Sequence, residues 1–271
     1  MKLTFLSSAT LLLFLLVFNA CSNTEQKISS DLGISSEIKA QITALGYDPH
    51  DAFATDGGYV VENDIFLSEE NLNEPGDLKS IVIAQNEQYH ATNLVTGLPR
   101  NITISVGKKM PTSVLNAIDA AIARYNAQNL LLTFSRINGA NGDIVITPVN
   151  TLPNGPQGIP TVTQSAPPTN GNPGSWIKFN TTYSDWNANT LTTVIAHAIG
   201  HCIGFRHTDY MDYAFSCPGV NYNEGQGNEG AIQIPGTPVG PDAASWMLRC
   251  ITDGVNRPFN PNDLISLNYL Y

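Results

Sequence analysis

Residues 193–209 read TVIAHAIGHCIGFRHTD, and three histidines fall in this run at His197, His201 and His207. Residues four apart lie on one face of a helix, so His197 and His201 can each offer a ring nitrogen to one ion. Gly204 can take the left-handed backbone that ends a helix, and the turn it makes would return His207 as a third ligand. Three neutral imidazoles with a fourth position open form a catalytic rather than a structural zinc arrangement. The other helix face carries Ile195, Ile199 and Cys202, which should bury against a sheet. The chain holds five histidines. His50 and His90 read as surface or packing residues.

Elements that would position this run can be read on both sides of it. Residues 100–106 alternate apolar and polar, as a strand does. Pro111 opens a helix through about residue 128, with Val114, Ile118, Ala121, Ile122 and Tyr125 at spacings of three and four. Residues 130–137 and 143–149 read as strands, 150–174 as a Gly/Pro/Asn-rich loop, and 175–180 as a further strand. The histidine helix should be capped near Asn189 or Thr190. After His207 the chain turns irregular, and residues 262–271 read as a closing helix. The fold class expected is α+β: a mixed twisted sheet with two long helices and an irregular C-terminal subdomain ending in a helix.

Composition limits the partners. Thirteen Lys and Arg stand against 23 Asp and Glu, without a basic cluster, so nucleic acid is not expected as a partner. The first residues form a targeting segment: Lys2 precedes an uninterrupted apolar run over residues 11–18, too short to span a bilayer. It ends in Asn19-Ala20-Cys21, which resembles a relaxed lipoprotein box. Residues 1–20 would then be a signal peptide and Cys21 a lipidated first residue, giving an exported, cell-envelope protein that meets the membrane only through that lipid; simple secretion is the alternative. Exported chains tend to form disulfides. Cys202 belongs to the apolar stripe as a buried thiol, which favours Cys217 with Cys250 as a bridge, other pairings staying open.

The acidity is uneven. Residues 21–90 hold 13 acidic residues and three lysines; residues 91–271 hold ten acidic and nine basic residues. The boundaries expected are an acidic pro-segment or tether over 21–95 and a catalytic-type domain over 96–271. The apolar runs 59–61 and 65–67 argue for packing that a pure tether would not need.

The pattern His197-x3-His201-x2-Gly204-x2-His207 resembles the metzincin metallopeptidases. It is most similar to the dual-action HEIGH metallopeptidases, over roughly residues 60–271. The resemblance implies a metzincin-like domain binding one Zn2+, and a monomer that hydrolyses peptide bonds in proteins or peptides. It assigns Met247 to a methionine turn beneath the ion. Where several metzincins place a tyrosine two residues later, this chain has Arg249, and Tyr210 or Tyr213 could substitute. Substrate would lie along an edge strand, for which Trp176, Ile177, Lys178 and Phe179 are the candidates. Val61-Glu62-Asn63-Asp64 partly matches the FxGD motif of astacin-type pro-segments, making Asp64 a latency ligand to the metal; processing would fall near residues 97–100. The Asn, Asp and Glu residues of 209–229 leave a weak calcium site conceivable. One position departs from the motif. The general-base glutamate after the first histidine is replaced by Ala198, and alanine cannot carry a proton. General acid–base assistance contributes about 10²–10⁴-fold in rate. The chain is thus expected to be a zinc endopeptidase silenced at Ala198 or a natural pseudo-peptidase that binds peptides.

Overall fold

The computed structural model describes residues 34–73, 88–155, 158–210, 212–217, 232–238 and 240–271. The segment expected to be a signal peptide (1–20), Cys21 and most of the 209–229 acidic run lie outside these residues. Everything described falls in one compact unit. Among the described residues, no helix is long and apolar enough to cross a membrane.

An eight-stranded sheet organises the molecule. In chain order its strands are β1 (Phe53–Thr55), β2 (Gly58–Val61), β3 (Ile65–Ser68), β5 (Arg100–Val106), β6 (Leu132–Arg136), β7 (Ile144–Val149), β8 (Thr163–Ser165) and β9 (Trp176–Asn180). Their spatial order is β1-β2-β3-β8-β9-β7-β5-β6. The β5, β6, β7 and β9 pairings are parallel, and β8 alone runs antiparallel to β9. A short pair, β4 (Tyr89–His90) with β10 (Ile232–Gln233), stands apart.

Two fifteen-residue helices, α3 (Thr112–Asn126) and α4 (Ala188–Cys202), form the core with the sheet. Val114, Ile118, Ala121, Ile122 and Tyr125 all face inward, as their spacing requires. The Tyr125 hydroxyl donates to the Ala196 carbonyl at 2.8 Å, so the long buried ring brings a satisfied polar end. Helix α4 is capped by Asn187, whose side chain accepts from the Asn189 amide at 2.9 Å. The cap thus falls two or three residues ahead of the sequence expectation, at the first Asn the chain meets. Short helices α1 (Ser36–Ala44) and α2 (Glu69–Leu72) lie in the N-terminal part, and α5 (Pro261–Leu270) closes the fold. Tyr271, just beyond α5, ties three segments together. Its hydroxyl donates to the Ile203 carbonyl and accepts from the Val95 amide, while its carbonyl accepts from Leu131.

Three expectations need correction. First, the strand Trp176–Asn180 is not an edge: β7 flanks it on one side and β8 on the other. The antiparallel neighbour is only three residues long inside a Gly/Pro-rich loop, where periodicity cannot reveal a strand. Second, the boundary at residue 95 cuts through one structure. Gln88 is fully buried and donates to Asp263 at 2.9 Å; the Tyr89 carbonyl accepts from Arg206 and the Ala91 amide donates to Gly204. Residues 88–95 therefore hold the loop carrying His207 and belong with 96–271. Third, residues 97–100 are a poor place to cut, because Arg100 opens β5 and donates to Gly171 and Asn172.

Residues 34–73 fold against this body rather than hang from it. Strand β3 pairs in parallel with β8, Ile65 opposite Ser165, and extends the sheet by three strands. Ile42, Tyr47, Val61, Ile65 and Leu67 form a small core of their own, and Phe66 stacks edge-on against Trp176 at 5.0 Å.

Candidate metal centre

Helix α4 ends as its sequence dictates. Gly204 has φ +105° and donates to His201, while the Phe205 amide donates back to Gly200 at 2.9 Å. This double closure is the Schellman arrangement, which needs a residue free to adopt left-handed backbone. The turn brings His207 to the two helical histidines. The ring centroids lie 4.5 Å apart for His197 and His201, 4.8 Å for His201 and His207, and 5.2 Å for His197 and His207.

The hydrogen bonds behind the rings fix their tautomers. His197 Nδ1 lies 2.9 Å from the Trp246 carbonyl and His201 Nδ1 2.8 Å from the Phe205 carbonyl. A carbonyl only accepts, so each Nδ1 carries the proton and each Nε2 a lone pair. Those two Nε2 atoms face one another at 2.9 Å. Two lone pairs so placed repel unless a cation lies between them. His207 Nε2 and Asp64 Oδ1 are buried without a hydrogen-bond partner among the described residues. Burial presses the His207 pKa down to about 3, despite the attraction of Asp64, so its ring is neutral and able to ligate. One ligand atom from each of Asp64, His197, His201 and His207 can be chosen so that all lie within 4.8 Å of one another. Buried, orphaned and correctly protonated, this donor set fits a divalent metal ion.

Met247 is fully buried against helix α4. A methyl built on Gly200 would stand 2.6 Å from its sulfur. The glycine thus lets the methionine approach the helix between the two ligand positions. The bridge between Cys217 and Cys250 forms, with Cα atoms 5.2 Å apart, and Cys202 is a buried free thiol. His90 packs with Nδ1 2.7 Å from the Ala91 carbonyl. Asp209, the first residue of the run considered for calcium, already accepts from Ser216 and from the Arg249 amide. Tyr213 and Tyr210 serve as platforms for arginines: the Arg249 guanidinium lies 3.7 Å from the first ring and that of Arg206 5.4 Å from the second.

Asp64 reaches the histidines from a turn between β2 and β3. Glu62 and Asn63 there have φ +51° and +74°, a left-handed pair in which neither residue is glycine. Such backbone costs on the order of 1–3 kcal/mol per residue and persists only where the surroundings enforce it. Here they do. Glu62 is fully buried, pairs with Arg206 and lies 3.4 Å from His207 Nδ1. Arg206 also donates to the Gly46 carbonyl at 2.6 Å and stacks on Tyr47. Asp51 accepts from the Glu62 amide and pairs with Arg249. No sequence pattern links these two buried pairs, whose partners lie 144 and 198 residues apart. The only local signal was a surplus of acid upstream.

A cavity of about 540 Å³ opens beside His197 and Asp64, lined by Trp186, Thr193, Val194, Ile251 and Arg249 among others. Ala198 shares a helix face with Val194, four residues earlier, and is fully buried.

The sheet, the two long helices and the three-histidine turn define a metallopeptidase fold. A profile of the dual-action HEIGH metallopeptidases matches residues 59–271, and the chain belongs to that family. Two solved structures of myroilysin are similar to it at 13% and 14% identity, covering 66% and 64% of this chain and 96% and 83% of theirs, with TM-scores of 0.43 and 0.38. Among curated proteins, none matches the sequence.

Proposed function

We propose that this chain carries the zinc site of an endopeptidase, in a latent arrangement and without its general base. The observation behind this reading is the donor set: His197, His201, His207 and the Asp64 carboxylate each offer a ligand atom within 4.8 Å of the others. A zinc ion held by His197, His201 and His207 supplies Lewis acidity towards a peptide carbonyl and an acidified water. The chain's own residues do the rest. The carbonyls of Trp246 and Phe205 hold the rings in register, Met247 floors the site, and Asp64 keeps substrate out. The Asp64 carbonyl also accepts from the Ser165 amide at 2.8 Å, so the pro-segment backbone occupies β8. With residues 34–73 gone, β8 would be the free edge, ready to pair with an extended peptide. On this reading substrate pairs with Thr163–Ser165 rather than with Trp176–Phe179.

Ala198 leaves peptide hydrolysis without a proton acceptor, so the chain as written is inactive or nearly so. Ala198 equally favours a second reading, a pseudo-peptidase that binds peptides on the same strand. We further propose export and lipid attachment at Cys21, which radiolabelled palmitate incorporation and its loss in Cys21→Ser would test.

The deciding experiment compares the chain with its Ala198→Glu variant. Both are loaded with zinc, the bound metal is counted, and casein cleavage is followed before and after limited proteolysis of the N-terminal segment. Chelator-sensitive cleavage only in the variant supports the peptidase. Full occupancy without cleavage in either supports the binding protein, and no bound zinc removes both.

A further inference from the structure

The acids of the pro-segment do more than cover the metal. Arg249 follows Met247 by two residues and lines the same cavity as His197 and Asp64. Its side chain is 2% exposed. Its backbone is pinned by an amide bond to Asp209 at 3.0 Å and by the neighbouring disulfide at Cys250. Its guanidinium carbon lies over Tyr213, 3.7 Å from the ring centre. Within ion-pair distance, among the described residues, the guanidinium meets one carboxylate, that of Asp51, and its Nε has no acceptor. Asp51 belongs to the segment expected to leave.

A buried guanidinium without an anion is strongly unfavourable, and arginine is built to take a carboxylate through two N–H groups. Arg206 is in the same position electrostatically, but it does not line the cavity. Arg249 does, beside the metal ligands, on a rigid ring and with an unused donor.

We propose that Arg249 is a specificity-determining subsite for a carboxylate of the peptide substrate, and that Asp51 is its internal stand-in before release. The substrate class is therefore acidic peptides, carrying Asp or Glu a short distance from the scissile bond. This rests on the reading of residues 34–73 as a removable segment. An uncharged amide offers the guanidinium one acceptor instead of two and no charge, so it should be disfavoured.

Two arms test this. In the full chain, Asp51→Ala empties the site. Acetate should raise its thermal midpoint more than chloride at equal ionic strength, and this advantage should vanish in Asp51→Ala/Arg249→Met. Should Asp51→Ala fail to fold, Asp51→Asn serves in its place. In the Ala198→Glu chain after limited proteolysis, fluorogenic peptides with amidated C-termini are compared as Glu and Gln pairs. The Glu peptide should be cleaved on the order of 10–100-fold better in kcat/KM. Arg249→Met should remove that preference at unchanged zinc content. A free-acid C-terminus that restores cleavage of the Gln peptide, and does so only with Arg249 present, assigns the same subsite to a terminal carboxylate. An acetate effect that is absent or survives Arg249→Met overturns the proposal, as does an acid preference that is absent or survives it. If the Ala198→Glu chain binds zinc yet cleaves nothing, the peptidase reading falls and the acetate arm still decides the subsite.

Discussion

Replacing Glu62 by glutamine preserves the side chain's shape and removes its charge. Arg206, with a side chain 1% exposed, then retains the Gly46 carbonyl and the faces of Tyr47 and Tyr210, but no anion. Removing one partner of a buried pair costs about 3–5 kcal/mol, mostly because the other charge stays behind. The amide oxygen can still accept one N–H, so the lower end, about 3 kcal/mol, is expected. That is a large share of the roughly 5–15 kcal/mol by which domains are stable. Arg206→Met should cost a similar amount by stranding the Glu62 carboxylate. The double variant should then cost less than the sum of the two, with a coupling of about 2 kcal/mol or more. Urea unfolding of metal-saturated protein, followed by tryptophan fluorescence, measures all three. Susceptibility of residues 34–73 to a protease of broad specificity shows whether the loss is concentrated in that segment. Glu62→Gly is the comparison that separates backbone from charge: it relieves the left-handed strain at φ +51° yet loses the carboxylate, so it should be no more stable than Glu62→Gln. A cost below about 1 kcal/mol for Glu62→Gln, or strict additivity in the double variant, would refute the electrostatic account of the latch.

Three further outcomes are expected. Burial pushes the Asp263 carboxyl up to about 7, so the folded protein holds a proton that the unfolded chain releases near pH 4. Its contribution is therefore complete below about pH 4 and is lost as the pH rises to 7, on the order of 4 kcal/mol, and urea midpoints across that range should fall less steeply for Asp263→Asn. Gly200→Ala sets a methyl 2.6 Å from the Met247 sulfur and 3.3 Å from the Trp246 nitrogen, so it should cost about 1–3 kcal/mol and weaken metal retention against a chelator. Stripping the metal leaves two lone pairs facing at 2.9 Å, so the thermal midpoint should fall on chelation, with about 4 kcal/mol of apparent stability recovered at a thousandfold excess of free zinc over its Kd.

How far the sequence reaches depends on the range of each interaction. The histidine spacing, Gly204 and the apolar stripe of α4 are local patterns, and a helix with its terminating turn follows from them directly. Helix α3 and strands β5 and β7 were equally visible, because their periodicity persists over whole elements. Strand β8 was not. It has three residues, it lies in a loop rich in glycine and proline, and it becomes a strand only by pairing with β9 and β3. That hidden strand misplaced the edge. Acid content also proved a poor guide to where one part ends: Gln88 and Tyr89 lie in the acidic stretch yet hold Asp263 and Arg206. The pairs Glu62–Arg206 and Asp51–Arg249 join residues too distant for any pattern to link. The partial FxGD match at residues 61–64 was the local hint that this turn had a special role, and Asn63 stands there where the motif has glycine, a position whose left-handed backbone asparagine also tolerates.

The three anchors of Tyr271 tie distant parts of the fold to the histidine turn. The Ile203 carbonyl sits between the second and third histidines, and its partner hydroxyl belongs to residue 271. Until that hydroxyl docks, the loop carrying His207 lacks its outer brace. A lesion as small as Tyr271→Phe should therefore loosen the hold on an ion even though every ligand is intact.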